Sequence, residues 1–204
     1  ITSPHHEVAI AAAEAGKHII MEKPLTGCFV DADAMTRQKM WEQVLGQADS
    51  VLAACAKNNV TLCYAENFVY APGVAKLRRL MDQSGGALLD LRAEESHSGS
   101  HAAYARRWAS AGGGSFLRMG SHPVGAVIHL KHYEGMRKHG KPIRVKSIIA
   151  DVERLTALPA FRAQQKHYMK TDWVDVEDWS AAIMTFDDGT KATKDQMAQD
   201  VAAF

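Results

Sequence analysis

The sequence HIIMEKP, residues 18–24, decides how the chain folds. Its first four residues form a short apolar run, which predicts a strand buried on both faces of a sheet. Helices are predicted on either side, over residues 5–16 and from about residue 32 to 57, and a second buried strand is predicted over residues 60–64. Short apolar strands that alternate with helices are typical of a parallel sheet covered on both faces.

A different pattern begins after Tyr70. Helices and extended runs follow one another without strict alternation, and Asp187-Asp188-Gly189 is a hairpin turn signal. We therefore predict a second unit, an open and mainly antiparallel sheet with a layer of helices. Its predicted helices cover residues 73–82 and about 115–131, and its predicted strands cover residues 87–95, 143–155, 178–186 and a stretch after Lys191.

The composition is typical of a soluble globular protein. Hydrophobic residues make up 47% and charged residues 23% of the chain, and the net charge is +1. This balance gives no electrostatic reason to expect nucleic acid or an anionic membrane as a partner, and no apolar run has the length of a membrane-spanning helix. Three irregularly spaced cysteines argue against a disulfide framework and favour a cytoplasmic location.

Glu22-Lys23-Pro24 comes directly after the first buried strand. Ligands of open α/β sheets bind at the carboxyl ends of the strands, so Lys23 is a candidate general acid–base or oxyanion partner. A lysine acts as a base only when burial and neighbouring positive charge lower its pKa from about 10.4 toward neutrality. The alternative is a surface lysine that precedes a proline and has no role.

The second candidate motif is GGGSFLRMGSHP, residues 112–123. Its glycines allow the backbone to approach a ligand or a neighbouring helix closely. Arg118 and His122 are four residues apart, which places them on one face of the predicted helix, and histidine exchanges protons near neutral pH. The alternative is a glycine-rich helix start with a packed histidine.

Three segments, in this order, resemble the Gfo/Idh/MocA family, which comprises glucose–fructose oxidoreductases, inositol dehydrogenases and their relatives. They are TSPHHEVAIAAAEAGKHIIMEKPLTG, AGGGSFLRMGSHPVGAVIHL and EDWSAAIMTFDDGTKAT. The resemblance implies an α/β fold in which residues 1–66 are the C-terminal part of a dinucleotide-binding Rossmann domain. Residues 67–204 are then an α+β domain for substrate and oligomer contacts, built on the open, mainly antiparallel sheet.

The resemblance also implies an activity, hydride transfer between NAD or NADP and a secondary alcohol of a sugar, sugar acid, cyclitol or glycoside. Lys23 is the implied catalytic residue beside the nicotinamide, and His122 handles the hydroxyl proton. The implied partners are a small carbohydrate or cyclitol and, at full length, further copies in a homo-oligomer. The expected cofactor-binding residues are Thr2, Ser3, Pro4, His6, Glu22, Lys23 and Asn67, and the expected substrate-binding residues are Arg118, Glu95, His97 and Tyr70.

Two features depart from the family's pattern. Arg118 stands where an aspartate is usual, and a guanidinium cannot accept a proton. We hypothesise that it binds an anionic substrate group or favours neutral Lys23 by charge repulsion, and the alternative is an arginine without a role. No GxGxxG turn, which binds the pyrophosphate in Rossmann folds, occurs in the sequence, so we expect a fragment that lacks the start of the first domain and the end of the second.

Other functions stay open at this point. His97 and His101 in HSGSH, and the adjacent His5 and His6, are candidate metal ligands. Zinc sites need three or four converging ligands with a recognisable spacing, so no metal site is predicted. A non-catalytic relative that acts through oligomerisation or regulation is the main alternative to an enzyme, and a metal-dependent hydrolase is a third class.

Overall fold

The computed structural model describes residues 5–31, 33–100, 102–164, 166 and 172–196. Within these residues the chain forms one two-stranded sheet and one four-stranded sheet, together with helices. The predicted α/β class is therefore confirmed. In the described part of the chain, no helix has the length and apolar character needed to cross a membrane.

The first sheet is parallel, as the alternation of strands and helices predicts. Its elements are, in chain order, helix α1 (His5–Glu14), strand β1 (Ile19–Met21), helix α2 (Arg37–Lys57) and strand β2 (Leu62–Tyr64). Helices and strands share one hydrophobic core, because the alanines of α1 allow it to approach closely. The buried core residues are Ala9, Ala13, Ile19, Met21, Val51 and Cys55.

Helix α2 begins five residues later than the sequence predicts, at Arg37 rather than near residue 32. The reason is Thr36, which has an extended backbone and whose hydroxyl oxygen accepts a hydrogen bond from the Lys39 amide at 3.3 Å. A threonine in this position satisfies an amide that has no partner within the helix, and so fixes where the helix starts. Gly46 lies inside α2 without interrupting it.

The second sheet is mainly antiparallel, which confirms the prediction. Its strands are β3 (Asp90–Glu94), β4 (Val145–Glu153), β5 (Trp179–Phe186) and β6 (Lys191–Gln196), in the spatial order β3-β6-β5-β4. Only the β3–β6 pairing is parallel. The accompanying helices are α3 (Pro72–Ser84), α4 (Trp108–Ala111), α5 (Ser115–Arg118), α6 (Ser121–His139) and α7 (Pro159–Arg162), and a short 3-10 helix covers Asn67–Tyr70.

Helix α6 packs on the inner face of this sheet. Alternate residues of β5 are buried, from Ser180 to Phe186, because successive side chains of a strand point to opposite faces. Val127 of α6 joins Met184 and Phe186 in one buried cluster. This packing fixes the position of α6, and with it the His122 side chain in its first turn.

The prediction of one helix near residues 115–131 is wrong, because the chain forms α5 and α6 with a break between them. At the break, the Gly120 amide donates to the Ser115 carbonyl five residues earlier, at 3.0 Å. This wider turn interrupts the i to i−4 hydrogen bonds of an α-helix. Arg118 and His122 therefore do not lie on one face of a continuous helix, although they are four residues apart.

A buried charge network joins α6 to the turn between β5 and β6. Lys131 is fully buried, and its Nζ donates to Glu134 Oε2 at 2.7 Å, to Asp188 Oδ2 at 2.9 Å and to the Leu88 carbonyl at 3.1 Å. Burial alone would raise the pKa of Asp188, but hydrogen bonds from Lys131 and Thr190 outweigh it and lower the pKa to about 2. The network therefore stabilises the ionised carboxylate in the folded state.

We expect Asp188→Asn to lower the free energy of unfolding by about 1 kcal/mol at pH 7, less than the lowered pKa alone corresponds to, because Asp188 is exposed and solvent screens its charge. A carboxylate whose folded pKa is depressed contributes stability above its unfolded pKa and loses it as the pH falls through the folded one. The difference between wild type and variant should therefore shrink between about pH 4 and pH 2, as urea denaturation at several pH values will measure.

Asp187→Asn in the same turn is the matched control. Its Oδ1 accepts from the Arg144 amide at 3.2 Å, and a carboxamide oxygen also accepts. The interpretation is wrong if both variants lose the same stability at pH 7.

Candidate active site

Lys23 lies at the edge of the first sheet where β1 ends. Its side chain is half-buried and its Nζ donates a hydrogen bond to the Arg118 carbonyl. The Lys23–Pro24 peptide bond is cis, and the Pro24 carbonyl lies 2.9 Å from the His5 Nδ1. The two candidate motifs, which are 95 residues apart in the sequence, therefore meet through Lys23 and Arg118.

The environment of Lys23 lowers its pKa. Burial is the main cause, and the positive charge of Arg118 is the second. The carboxylates of Glu66, Glu95 and Glu22 act in the opposite direction without cancelling the effect. Burial and a like charge both disfavour the ammonium form, so Lys23 loses its proton more readily than an exposed lysine does.

His122 is held on two sides. Its Nδ1 lies 2.6 Å from Glu66 Oε1, and the ring of Phe68 stacks on the imidazole with a centroid distance of 4.2 Å and an interplanar angle of 19°. Glu66 is 5% exposed, and its Oε1 also accepts from the Phe68 amide at 3.1 Å. Since Glu66 also acts electrostatically on Lys23, both candidate catalytic side chains belong to one site.

The guanidinium of Arg118 contacts Tyr104 and Ser100. It lies over the ring of Tyr104, 4.9 Å from the centroid, and its Nη2 donates to Ser100 Oγ at 3.4 Å. Its Nη1 is buried and has no hydrogen-bond partner among the described residues, and the same is true of Glu95 Oε2. Buried polar atoms without partners are uncommon, so each of these two atoms is a candidate contact for a polar ligand.

The glycine-rich stretch before Arg118 accommodates protein contacts. The Glu177 carboxylate accepts from the Gly114 amide at 2.8 Å and from the Phe116 amide at 3.1 Å. A Cβ on Gly114 would lie 2.0 Å from the Glu177 carbonyl oxygen. Gly112 has a positive φ of 74° and packs against the Phe29 ring. These glycines therefore permit close packing that sets the start of α5.

The predicted cofactor-binding residues fall in different places. Thr2, Ser3 and Pro4 lie outside the described residues. Glu22 is exposed beside Lys23, whose amide donates to its Oε2 at 3.1 Å. His6 is partly buried, 4.0 Å from Glu7, and Asn67 is exposed at the start of the 3-10 helix.

The predicted substrate-binding residues divide into two groups. Arg118 and Glu95 both act electrostatically on Lys23, so they lie near it. His97 is exposed, and its Nδ1 accepts from the Gly99 amide at 2.9 Å. Tyr70 is 77% exposed and lies at the end of the 3-10 helix.

Sequence reasoning missed Glu66, Phe68, Tyr104 and Glu177. A signal for Glu66 exists, because it follows β2 by two residues, just as Lys23 follows β1. The carboxyl ends of parallel strands meet at one edge of a sheet, so a charged residue after β2 is a candidate for the same site. Within the described residues, which exclude His101, no group of three or more His, Cys, Asp or Glu is arranged to hold a metal ion.

The fold is that of solved dehydrogenases and oxidoreductases. The structure of GenD2 from gentamicin A biosynthesis in complex with NAD matches with a TM-score of 0.66 and 23% identity, over 98% of this chain and 47% of that one. Aldose-aldose oxidoreductase from Caulobacter crescentus, complexed with glycerol, matches with a TM-score of 0.68 and 18% identity, over 96% and 48%. A levoglucosan dehydrogenase in complex with NADH gives 0.65 and 20%, over 99% and 48%.

The first part of the chain matches a known family model. Residues 1–66 match the model described as GFO_IDH_MocA, an oxidoreductase family with an NAD-binding Rossmann fold. This match covers residues 1–66 and agrees with the resemblance noted from the motifs. Levoglucosan dehydrogenase of Pseudarthrobacter phenanthrenivorans (strain DSM 18606 / JCM 16027 / LMG 23796 / Sphe3) is 33% identical over 96 residues, which are 45% of this chain and 20% of that protein. The chain thus spans a fifth of this curated relative and about half of the solved ones.

A matched pair of glycine substitutions tests the packing before α5. Gly114→Ala should lower the free energy of unfolding by at least about 2 kcal/mol, because the new methyl group overlaps the Glu177 backbone. Gly46→Ala in α2 should raise it by about 0.5–1 kcal/mol, because its Cβ meets nothing within 4 Å and alanine favours the helix. Urea denaturation of both variants measures the difference, and equal effects would contradict the packing argument.

The charge of Arg118 should be visible in the titration of Lys23. Arg118→Met removes a neighbouring positive charge, so we expect the pKa of Lys23 to rise toward that of an exposed lysine. The measurement is the pH dependence of trace acetylation at Lys23, followed by mass spectrometry of its peptide. Arg107→Met, at an exposed arginine, is the charge-matched control and should leave the titration unchanged. An unchanged titration in Arg118→Met would refute the effect.

Proposed function

We propose that the protein transfers a hydride between a nicotinamide cofactor and a secondary alcohol of a sugar, sugar acid, cyclitol or glycoside. The observation that carries the proposal is the convergence of Lys23, whose pKa is lowered, and the Glu66–His122 pair at one site. Titratable groups with displaced pKa values are typical of sites that move protons. Levoglucosan dehydrogenases among the similar proteins support a carbohydrate substrate.

A nicotinamide ring fits the chemistry of this edge of the sheet. The half-buried amine of Lys23 and the exposed carboxylate of Glu22 follow β1, and Glu66 Oε2 is buried without a partner among the described residues. Glu22 and Lys23 would hold the nicotinamide end of the cofactor. Residues outside this edge of the sheet would bind the rest of the cofactor. When bound, the ring supplies the hydride acceptor for oxidation or the hydride donor for reduction.

The proton chemistry belongs to the chain's own side chains. In alcohol oxidation, the C–H electron pair leaves the carbinol carbon as hydride, the O–H proton goes to His122 Nε2, and the carbon–oxygen bond becomes a carbonyl. Lys23 donates a hydrogen bond to the same oxygen while negative charge develops on it. Because its pKa is lowered, Lys23 also exchanges protons closer to neutral pH than an exposed lysine does.

Arg118 has two roles open to it within this proposal. Its charge is the second cause of the lowered pKa of Lys23, which supports the hypothesis of charge repulsion. The buried Nη1 without a partner in the described residues supports the other hypothesis, a hydrogen bond to an anionic or polar substrate group. The two roles are compatible, because one depends on the charge and the other on a single N–H.

The alternative function, assembly without catalysis, has one observation in its favour. On the outer face of the second sheet, Ile149 of β4 pairs with Ile183 of β5, and they are 75% and 46% exposed. Exposed apolar patches often mark protein–protein interfaces, which supports a homo-oligomer. An oligomer contact is compatible with an enzyme, so only the absence of turnover would favour the alternative.

The test uses the product of the complete gene, assayed for reduction of NAD or NADP with levoglucosan, glucose, gluconate and myo-inositol. We expect turnover with at least one of these, and Lys23→Met should lower kcat/KM by about 10²–10⁴-fold, the usual contribution of a general acid–base group. Lys17→Met, at an exposed lysine outside the site, is the matched control. Full activity of Lys23→Met, or a folded protein that neither binds a dinucleotide nor turns over any substrate, would overturn the proposal.

A further inference from the structure

The carboxylate of Glu66 is in direct contact with Nδ1 of the His122 imidazole. The Nδ1–Oε1 distance is 2.6 Å, and both side chains are largely removed from solvent, with 14% of His122 and 6% of Glu66 exposed. An ionised carboxylate accepts hydrogen bonds and cannot donate them. The proton of a neutral His122 imidazole therefore lies on Nδ1, and Nε2 is left as the basic nitrogen.

The surroundings hold Glu66 in this orientation. The Phe68 amide donates to the same Oε1, and the Phe68 ring stacks on the imidazole that Glu66 binds. On the opposite side, Gly125 of α6 leaves the room that Glu66 occupies, because a Cβ there would lie 2.6 Å from Glu66 Cγ. The Glu66 carboxylate and the His122 imidazole are thus held in contact by three features. These are the amide donor, the stacked ring and the absence of a side chain at Gly125.

No other described carboxylate forms a hydrogen bond or ion pair with His122. Arg118, four residues earlier, offers only donors, and its guanidinium lies on Tyr104. A buried imidazole that takes up a proton needs a counter-charge, because an isolated buried cation is costly. Glu66 supplies that charge in direct contact.

We infer that Glu66 is the positioning residue of the site, which fixes the His122 tautomer and neutralises the imidazolium that forms when Nε2 takes the hydroxyl proton. This inference rests on the proposed function for the proton step, but not for the tautomer. The arrangement follows the general logic in which an acid holds a histidine base in the productive tautomer. It also gives the sequence AENF, residues 65–68, a role that its position after β2 alone does not reveal.

The tautomer is measured first, without turnover, by NMR of the complete gene product labelled with ¹⁵N in its histidines. His122→Gln identifies the His122 signals by their loss. In the neutral form of wild type we expect a protonated Nδ1 and an unprotonated Nε2. A wild-type His122 with its proton on Nε2 overturns the inference, whether or not the protein proves to be a dehydrogenase.

Two variants then separate orientation from charge. Glu66→Leu removes the acceptor while filling its volume, so both tautomers should appear. Glu66→Gln retains an acceptor oxygen for Nδ1 and for the Phe68 amide, so the tautomer should persist while the counter-charge is lost. For both variants we expect kcat to fall by about 10²–10⁴-fold with KM changed by less than about threefold.

Glu66→Asp keeps the charge and should recover part of kcat, which a merely structural role for Glu66 would not predict. Glu94→Gln, at an exposed glutamate of β3, is the matched control and should keep wild-type kcat. Unchanged kcat in Glu66→Gln overturns the inference, even if Glu66→Leu fails to fold. Loss of all turnover in wild type would instead count against the proposed function and leave the tautomer measurement valid.

Discussion

The contact between Glu177 and the amides at the start of α5 is the constraint on which the geometry of the site depends. The Glu177 carboxylate accepts from the Gly114 and Phe116 amides, and a Cβ on Gly114 would collide with the Glu177 carbonyl oxygen. This contact fixes where α5 starts, and so where its last carbonyl, that of Arg118, meets Lys23. The wide turn after α5 then sets the position of His122. The position of α5 therefore depends on Glu177, a residue that is not one of the candidate catalytic residues.

The charged side chains of the site influence one another's protonation because the site is partly buried and water screens their charges little. Lys23 is influenced by one positive and three negative side chains, and their effects are larger in a partly buried place than on an exposed surface. Burial and Arg118 favour the neutral amine of Lys23, whereas the Glu66 carboxylate lies in hydrogen-bond contact with Nδ1 of His122. The two basic groups of the site thus have different partners, the Arg118 carbonyl for Lys23 and the Glu66 carboxylate for His122.

Sequence reasoning predicted much of the fold because it depends on local patterns. Short apolar runs indicated β1 and β2, and the Asp187–Gly189 turn indicated the β5–β6 hairpin. The helix break at Gly120 was not predicted. It occurs where the Gly120 amide donates to the Ser115 carbonyl, five residues earlier, instead of to the carbonyl four residues earlier as in an α-helix. Lys23 and His122 were identified through motif resemblance. Glu66 was missed, although its position after β2 made it a candidate for this edge of the sheet. Its pairing with His122 depends on the approach of α6, which no local pattern of the sequence encodes.

The parallel pairing of β3 with β6 has a consequence for folding during synthesis. Asp90 and Lys191 are paired across the sheet, so β3 is made about 100 residues before its partner. At about 5–20 residues per second, it waits for roughly 5–20 seconds as a strand with both edges free. Asp90, Arg92 and Glu94 are exposed along it, and charged residues on an unpaired edge discourage pairing with other chains. The charges that face solvent in the finished sheet thus also protect the nascent chain from aggregation while β6 is still being synthesised.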